Sequence, residues 1–400
     1  MRKIKLHLFS VNDFLSESIN FVENYKEKLG RNDKCWCNSG LKYKKCHLDR
    51  DRETPVSKAE ALKFSKSNSQ RKGCYAPASM HKDCDKRIVQ AHTLSKSSSL
   101  KAIADPSNHV MGVVMNLPSL MRNNGRCVPE KIGINQASTF TGFCAVHDRI
   151  LFSCLENEKF TGTDEQCFAL MFRSLSKEIY AKEGGVRSSD FAKNADKGKL
   201  QAEQFYIQKF VSLHQSGLKA AMIELNNLKA SLDRMLLSRQ FSEIESVIFT
   251  FSEPLPIAVS SILSPERDFD GAQIQDLSDL TVSAEQVCFN AFSGEGKGYV
   301  VFSWLRTSGI IRRFVQSLIK VPADRIFNTL LYFFFTKAEN TYSSPEWWDS
   351  LSDKQRENIG NMIMSGVEFF GDPISRVDYS VDYKTVSLAE IRCSNSEIFS

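Results

Sequence analysis

The stretch GRNDKCWCNSGLKYKKCH, residues 30–47, places three cysteines and a histidine within one short basic segment. One residue separates Cys35 from Cys37, and the pair Cys46-His47 follows eight residues later. Zn²⁺ prefers four thiolate or imidazole ligands in a tetrahedron, and two ligand pairs joined by a turn supply them. Because the protein fills all four positions, the sequence predicts a structural zinc site and not a catalytic one.

The residues between these pairs predict a turn at 38–40 and a short helix at 41–45. The stretch resembles the SEC-C motif, a small zinc-binding module found in many otherwise unrelated proteins. Lys34 and Trp36 stand where that family usually has prolines, and Asn38 stands where it usually has glycine. The resemblance implies a module that contacts protein or nucleic acid. Its candidate nucleic-acid contacts are Lys42, Lys44 and Lys45, for which simple solvation is the alternative.

The composition is that of a globular chain. Its 400 residues are 42% hydrophobic and 25% charged, which is enough for two or three domains with their own cores. Residues 1–100 hold 21 lysines and arginines against 11 acidic residues, a balance that attracts phosphate-bearing partners. No apolar run reaches the roughly 20 residues of a membrane-spanning helix, and no signal peptide is evident. We therefore expect a soluble, cytoplasmic protein with no membrane partner.

A second group of metal-ligating residues follows the first. Cys74 and Cys84 precede a short apolar strand at 87–91, and Cys144 and His147 stand farther along the chain. In a cytosolic chain this clustering favours zinc over disulfides, so we expect these four side chains to form a second structural zinc site.

Two details of that group remain open in the sequence. His81 and Cys84 offer an alternative ligand knuckle, and either Thr139 or Thr141 could cap the helix expected to begin near Cys144. The remaining cysteines are expected to be buried apolar thiols: Cys127, Cys154, Cys167, Cys288 and Cys393.

A ligand knuckle, a hairpin and a ligand pair in the first turn of a helix follow the order of a treble-clef ββα finger. Residues 73–156 resemble the HNH, or His-metal finger, endonucleases. The resemblance implies that His92, at the end of the predicted strand, is a general base that Asn135 orients. It also implies that Asp148 binds Mg²⁺ or Mn²⁺, while Cys144 and His147 bind zinc.

One family ligand is missing, because Ala91 stands where an acidic residue or a histidine usually precedes the catalytic histidine. His109 or Asn108, in the segment inserted after the strand, could help Asp148 to hold the ion. Phosphodiester hydrolysis requires a base for water and a cation for the charge that develops on phosphate. Histidine, with an ordinary pKa of about 6.5, is suited to the first role.

Helical patterns follow the finger. A capping box at 163–166 precedes an apolar stripe that ends near Ile179, and residues 218–240 form a heptad-like seam. Core packing within a helical hairpin is the first interpretation of that seam, and a homo-oligomer is the second.

The last part of the chain mixes strands with helices. Alternation at 247–251 and β-rich runs at 255–262 and 298–304 predict strands, and helices are expected at 310–319, 327–337 and 354–370. The glycines at 294, 296 and 298 lie between strands, so they do not form a phosphate-binding loop. Trp304, Trp347 and Trp348 are expected in the core.

The predicted fold class is a multidomain α+β protein. Its parts are an N-terminal segment with the zinc module (1–53), a linker (54–72), the HNH-like finger (73–160), a helical segment (161–240) and an α+β C-terminal domain (241–400). The C-terminal domain could offer a surface to a protein partner.

Two functions fit this organisation. The first is a metal-dependent endonuclease acting on DNA or RNA, and by analogy with similar bacterial chains it could serve in anti-phage defence. The second is a non-catalytic zinc adapter that binds nucleic acid or a protein, which the alanine at position 91 favours.

Overall fold

The computed structural model describes residues 29–114, 117–124, 126–279, 281–365 and 377–394. Residues 1–28 of the predicted N-terminal segment and residues 366–370 of the last predicted helix lie outside those ranges. None of the described helices is long and apolar enough to cross a membrane.

The described α-helices are α1 (Lys58–Ser69), α2 (Lys101–Ile103), α3 (Leu117–Arg122), α4 (Ala145–Leu151), α5 (Ser153–Glu156), α6 (Asp164–Ala192), α7 (Gln201–Ser238), α8 (Gly309–Ile319), α9 (Ile326–Lys337), α10 (Pro345–Ser350) and α11 (Asp353–Ser365). The described strands are β1 (Ile88–His92), β2 (His109–Val113), β3 (Pro129–Gly133), β4 (Thr139–Cys144), β5 (Ile244–Phe251), β6 (Ile257–Leu263), β7 (Val287–Gly294), β8 (Lys297–Leu305), β9 (Thr341–Ser343) and β10 (Leu388–Cys393).

The strands form two sheets within the described part of the chain, so the mixed helix and strand content expected from the sequence is present. The larger sheet has eight strands in the order β10-β5-β8-β7-β6-β9-β2-β3, and the smaller pairs β1 with β4. Neighbouring strands of the larger sheet run antiparallel throughout. Strand β7 was not predicted, because its eight residues are almost all buried and show no alternation of apolar and polar side chains.

Both faces of the large sheet are covered by helices. In β5 the side chains of Val247, Phe249 and Phe251 pack into the core that includes α8 and α9. Ile248, which points to the opposite face, packs against α6 through Cys167 and Leu170. Successive side chains of a strand point to opposite faces, so a strand between two helical layers is buried along its whole length.

The long helices α6 and α7 form the hairpin that the sequence predicts. The capping box before α6 is confirmed: the Thr163 hydroxyl accepts from the Gln166 amide, and the Gln166 side chain accepts from the Thr163 amide. On α7 the seam residues Leu228, Leu232 and Met235 are buried in the core shared with α6. Core packing therefore accounts for these seam residues, and self-association remains a prediction.

The helical hairpin carries the segments in which the candidate ligands lie. The small β1-β4 sheet packs on α6, where Ala91, Phe140 and Phe143 share one core with Phe172. The predicted linker contains helix α1, which the Ser57-Glu60 capping box begins and which packs on α6. The N-terminal module, residues 30–52, lies against the connection between α6 and α7.

The predicted domain boundaries remain a prediction. Strands β2 and β3, which belong to the predicted finger, join the large sheet through β9, since Met111 pairs with Ser343 and Gly112 with Tyr342. The large sheet is thus built from residues on both sides of the boundary predicted at 160.

Candidate metal centres and an adjoining polar site

Backbone hydrogen bonds fold the N-terminal module so that its two ligand pairs meet. The Cys35 amide donates to the carbonyl of Leu41 at 2.8 Å, which closes the loop between the pairs. The predicted turn is present, with left-handed φ angles of 58° at Asn38 and 76° at Gly40. Asparagine tolerates this conformation better than most residues, so it can replace the usual family glycine. The short helix predicted at 41–45 is one 3₁₀ turn, Tyr43–Lys45.

The four predicted ligands of the module converge. The donor atoms of Cys35, Cys37, Cys46 and His47 all lie within 4.8 Å of one another. The Nδ1 atom of His47 is 3.2 Å from the Cys35 sulfur and 3.1 Å from the Cys46 sulfur, and the Cys37 and Cys46 sulfurs are 3.4 Å apart. Tetrahedral Zn²⁺, with bonds of about 2.0–2.3 Å, holds its donors roughly 3.5 Å apart. The donor set and its spacing therefore fit zinc.

The pKa values of these thiols are also consistent with a bound cation. Hydrogen bonding with Cys37 raises the pKa of Cys35, while the same contact lowers the pKa of Cys37 to about 3. Crowded thiols cannot all ionise together without a compensating positive charge. A bound zinc ion would supply that charge.

A buried carboxylate stands behind the histidine of this cluster. The Nε2 atom of His47 lies 2.9 Å from an Asp196 oxygen, and Asp196 is fully buried at the end of the turn between α6 and α7. Arg50 Nε donates to the other oxygen at 2.6 Å, and Gln208 donates to the first at 2.6 Å. Although burial opposes it, the contact with Asp196 raises the pKa of His47 to about 9. The carboxylate fixes the ring so that Nδ1 faces the sulfurs.

Trp36 adds an apolar contact between the module and the hairpin. Its ring centroid lies 4.4 Å from that of His47 and 5.6 Å from that of Phe205 on α7. A tryptophan at this position, where the related modules usually have proline, therefore helps to attach the module to the helices.

The second set of predicted ligands also converges. The donor atoms of Cys74, Cys84, Cys144 and His147 all lie within 4.8 Å of one another. His147 Nδ1 is 3.5 Å from the Cys74 sulfur, 3.4 Å from that of Cys84 and 3.2 Å from that of Cys144. Burial raises the pKa of Cys84 to about 12. As in the first cluster, a soft tetrahedral cation such as zinc fits the donors.

The two clusters differ in the contact made by the Nε2 atom of their histidine. The Nε2 atom of His147 is buried and has no hydrogen-bond partner in the described part of the chain, whereas that of His47 contacts Asp196. Outer carboxylates strengthen histidine ligands, so the first cluster is the better supported of the two.

The local structure decides between the alternatives that the sequence left open. The His81 ring hydrogen-bonds the carbonyl of Ala76 at 2.9 Å and lies outside the second cluster. Cys74, and not His81, is therefore the ligand that accompanies Cys84. Thr139 and Thr141 lie within β4, and Cys144 itself caps α4, with its sulfur accepting from the His147 amide at 3.5 Å.

His92 ends β1 with its ring fixed by the backbone. Its Nε2 atom lies 2.9 Å from the carbonyl of Ile134. A carbonyl only accepts, so Nε2 carries the proton and Nδ1 of the neutral ring is left with a lone pair. Burial lowers the pKa of His92, against the smaller opposing effect of the Ile134 contact.

A carboxylate with an unpartnered oxygen lies in the same environment. Oδ1 of Asp148, in the first turn of α4, is buried and has no hydrogen-bond partner among the described residues. Burial raises the pKa of Asp148, the guanidinium of Arg173 opposes that rise, and Glu156 adds to it. When protonated, His92 lowers the pKa of the same carboxylate, and the charges of Glu156 and Arg173 affect the pKa of both groups.

Glu156 and Arg173 extend this polar site. Glu156 accepts from Arg173 Nη1 and from the Ser95 hydroxyl, each at 2.8 Å. The Arg173 guanidinium lies 4.1 Å from the centroid of the Phe152 ring, and its Nε is buried without a partner in the described ranges. We name His92, Asp148, Glu156 and Arg173 the polar site.

The other residues assigned near His92 lie elsewhere. Asn135 is exposed in the turn after β3, and the carbonyl of Ile134, not the Asn135 side chain, bonds the His92 ring. His109 Nδ1 lies 3.0 Å from the Ser107 hydroxyl, and the Asn108 side chain accepts from Lys101. The structure shows no contact between these two side chains and Asp148.

The three lysines assigned to nucleic-acid contact are exposed. Lys42 precedes the 3₁₀ turn of the module, and Lys44 and Lys45 lie in it. Their position leaves them accessible to a phosphate backbone, and contact with nucleic acid remains a prediction.

Comparison with known proteins bears on the first cluster. Residues 31–49 match the family model of the SEC-C motif, and the match contains all four donors. No curated protein and no solved structure matches the chain. The family match and the geometry together support zinc binding by the module.

Sequence patterns did not indicate the partners of these sites. Asp196 lies 149 residues from His47 along the chain, and Arg173 lies on the helix after the finger. Neither belongs to a motif. Only the polar character of Arg173 within the apolar stripe of α6 distinguishes it in the sequence.

Proposed function

We propose that this protein is a metal-dependent endonuclease, in which residues 73–156 act as an HNH-like treble-clef finger and His92 is the general base. The main support is the hydrogen bond from His92 Nε2 to the Ile134 carbonyl. It leaves Nδ1 as the proton acceptor, and the lowered pKa keeps the ring neutral at physiological pH. A neutral, oriented imidazole is what activation of water requires.

The carboxylates of the polar site would hold the divalent ion. Asp148 offers an oxygen without a hydrogen-bond partner, and Glu156 lies in the same environment. Oxygen ligands of this kind suit Mg²⁺ or Mn²⁺, which when bound would stabilise the charge developing on phosphate. In this proposal Glu156 compensates for Ala91, which is buried and offers no ligand.

The remaining parts would bind and position the substrate. The lysines of the module, Lys42, Lys44 and Lys45, would contact the phosphate backbone of DNA or RNA. Arg173, held against Glu156, would favour an anionic substrate. Anti-phage defence is the biological setting that we propose, and the C-terminal half is the proposed surface for a protein partner.

A zinc adapter without catalysis is the second candidate. One observation favours it: within the described residues, only the two Cys/His clusters bring three or more potential metal ligands within 4.8 Å. The carboxylates near His92 do not meet that spacing. In this case the finger would be a rigid binding element, and Asp148 would be a helix N-terminal acid.

The test compares the wild type with two histidine variants. Purified protein is incubated with supercoiled plasmid and with a structured RNA, in Mg²⁺ or Mn²⁺ buffer. We expect cleavage by the wild type, a loss of at least about 100-fold in His92→Ala, and little change in His109→Ala. His109 is the matched control because its side chain is 42% exposed and bonds Ser107 instead.

The contrary outcomes separate the two candidates. Binding of either substrate without cleavage in both metals would favour the adapter. Equal cleavage by the wild type and His92→Ala would place any nuclease activity elsewhere.

A further inference from the structure

A large cavity lies beside the finger, between the helical hairpin and the sheet. Its volume is about 780 Å³. It is bounded by α6, α7, β6 and the segment before β9. Small-molecule sites usually measure about 300–1,000 Å³, so this cavity has the size of a binding site.

One wall of the cavity is apolar. It is formed by small and aliphatic side chains of the hairpin and of β6: Ala181, Ala220, Ala221, Leu225, Ile262 and Leu263. A flat, uncharged ring could lie against this wall without a penalty for desolvating polar groups.

The cavity lining also carries charged side chains, and most of them already have partners. Glu178 forms an ion pair with Lys182 at 3.3 Å. Glu224 accepts from the Ala284 amide, and Asp279 accepts from the amide and hydroxyl of Thr281. These contacts leave three charged side chains to consider.

Of these three, Lys177 indicates most about the charge of a ligand. It projects from α6 into the cavity wall, half-buried, and makes no ion pair with any described residue. Its ammonium lies 5.8 Å from the Phe140 ring centroid and 5.7 Å from that of Tyr180. Burial lowers the pKa of Lys177, against the smaller opposing effects of the Glu178 and Glu339 carboxylates, so burial still imposes a cost on the charged ammonium. An anionic ligand would offset that cost.

Two exposed residues of the lining add one charge of each sign. Lys337 and Glu339 are exposed there, and neither makes an ion pair with a described residue. Asn340 lies beside them, with its amide nitrogen donating to Ser138 and to the Ser260 carbonyl, so that its side-chain oxygen remains an acceptor. The cavity therefore offers two cations for an anionic group and two acceptors for donors on the same ligand.

From this arrangement we infer that the cavity binds a nucleotide-sized ligand that carries phosphate and an amino-bearing ring. Lys177 and Lys337 contact the phosphate, the ring lies on the apolar wall, and Glu339 or Asn340 accepts from the exocyclic amine. Binding does not depend on the proposed cleavage at His92. A His92→Ala protein should therefore bind the ligand as the wild type does.

Isothermal titration of the full zinc-loaded chain tests this inference. The probes are AMP, GMP, CMP and UMP, with adenosine and inorganic phosphate as fragments. We expect at least one amino-bearing monophosphate to bind with a dissociation constant below about 1 mM, and adenosine and phosphate to bind more weakly.

Two cavity variants and one surface variant locate the binding. Lys177→Gln removes the unpaired cation, and Ala221→Trp fills the space against the apolar wall. Each should raise the dissociation constant by about tenfold or more. Lys297→Gln, at an exposed position of β8 outside the cavity lining, should leave it unchanged. A melting temperature close to that of the wild type and an unchanged zinc content show that each variant is folded.

Two results would overturn the inference. One is the absence of heat with every monophosphate. The other is binding that both folded cavity variants retain with the dissociation constant of the wild type, which would place the nucleotide outside the cavity.

Discussion

The imidazole Nε2 of His47 lies 2.9 Å from a carboxylate oxygen of Asp196, 149 positions further along the chain. Asp196 also accepts from Arg50 of the module and Gln208 of α7, so one buried carboxylate joins the zinc ligand to the helical hairpin. Orientation of the ligand thus depends on a contact outside the motif. We expect zinc affinity and docking of the module to change together.

Replacing Asp196 by asparagine tests that dependence. The charge behind His47 is lost, so we expect zinc affinity at the first cluster to fall about 10- to 100-fold. Competition with a chromophoric chelator measures the change. Asp190→Asn is the matched control, because this exposed aspartate bonds Lys193 and Gln215 but not His47. Equal affinity in the wild type and Asp196→Asn would show that the carboxylate has no part in metal binding.

The metal content of the chain tests the grouping of the ligands. We expect two zinc ions per chain, because two clusters of four donors are present. Cys84→Ser should lower the content to about one, since a structural site seldom survives loss of a thiolate. Cys154→Ser should leave two, as Cys154 is buried away from both clusters. Elemental analysis after gel filtration gives the count.

The order in which zinc is lost should differ between the clusters. His147 has no partner at Nε2 within the described chain, whereas His47 has Asp196. We therefore expect a chelator to empty the second cluster first in the wild type. Zinc content of Cys84→Ser and Cys37→Ser proteins, followed over time, assigns each phase. Faster loss from the first cluster would contradict the ranking.

The pH dependence of cleavage tests the role of His92. Burial lowers its pKa from the ordinary value of about 6.5. A general base acts when deprotonated, so the rate should fall as the pH drops through that pKa. The acid limb of the profile should therefore lie below pH 6.5, in single-turnover assays with Mn²⁺. An acid limb above pH 7 would be inconsistent with His92 as the base.

The metal clusters could be predicted from the sequence because ligand chemistry is carried by a few residue types. Cys-x-Cys and Cys-His have few other uses at that spacing, and Cys144 and His147 fit one turn of a helix. Even so, the sequence left His81 open as a ligand. Only the fold shows that its ring bonds the Ala76 carbonyl.

Long-range partners could not be predicted in this way. Asp196 lies in a polar turn between helices, and nothing near it in the sequence distinguishes it from exposed aspartates. The hydrogen bond expected from Asn135 comes instead from the neighbouring Ile134 carbonyl, because the turn after β3 directs the asparagine to solvent. Backbone geometry decides which of two neighbouring residues bonds the His92 ring.

Long-range strand pairing in the large sheet could not be predicted from the sequence either. Alternation predicted β5, whose Val247, Phe249 and Phe251 face one core. It could not predict that β2 and β3 extend the sheet through β9, since edge pairing depends on the whole fold. Strand β7 was missed because burial on both faces removes the alternation on which the prediction depends.

An ion pair with a fully buried carboxylate connects β5 to α8 and gives a test of this core. Glu245 is fully buried and accepts from Arg312 Nη2 at 2.7 Å, from Arg312 Nε at 3.2 Å and from Trp304 Nε1 at 3.1 Å. Glu245→Ala would leave the guanidinium and the indole without that acceptor. Arg312 is 30% exposed, so the cost should be that of leaving hydrogen-bond donors unpaired, about 1–3 kcal/mol, and we expect a clear fall in the urea midpoint.

The exposed pair of Glu295 and Lys159 provides the comparison. Its charged atoms are 2.6 Å apart, compared with 2.7 Å between Glu245 and Arg312, yet both of its side chains are more than half exposed. Water screens such a pair, and Glu295→Ala should change the stability by less than about 1 kcal/mol. Burial of the pair, and not the distance between its atoms, should therefore decide which substitution lowers the free energy of unfolding more. Equal urea midpoints for the two variants, measured by tryptophan fluorescence at one protein concentration, would show that Arg312 and Trp304 find other partners when Glu245 is absent.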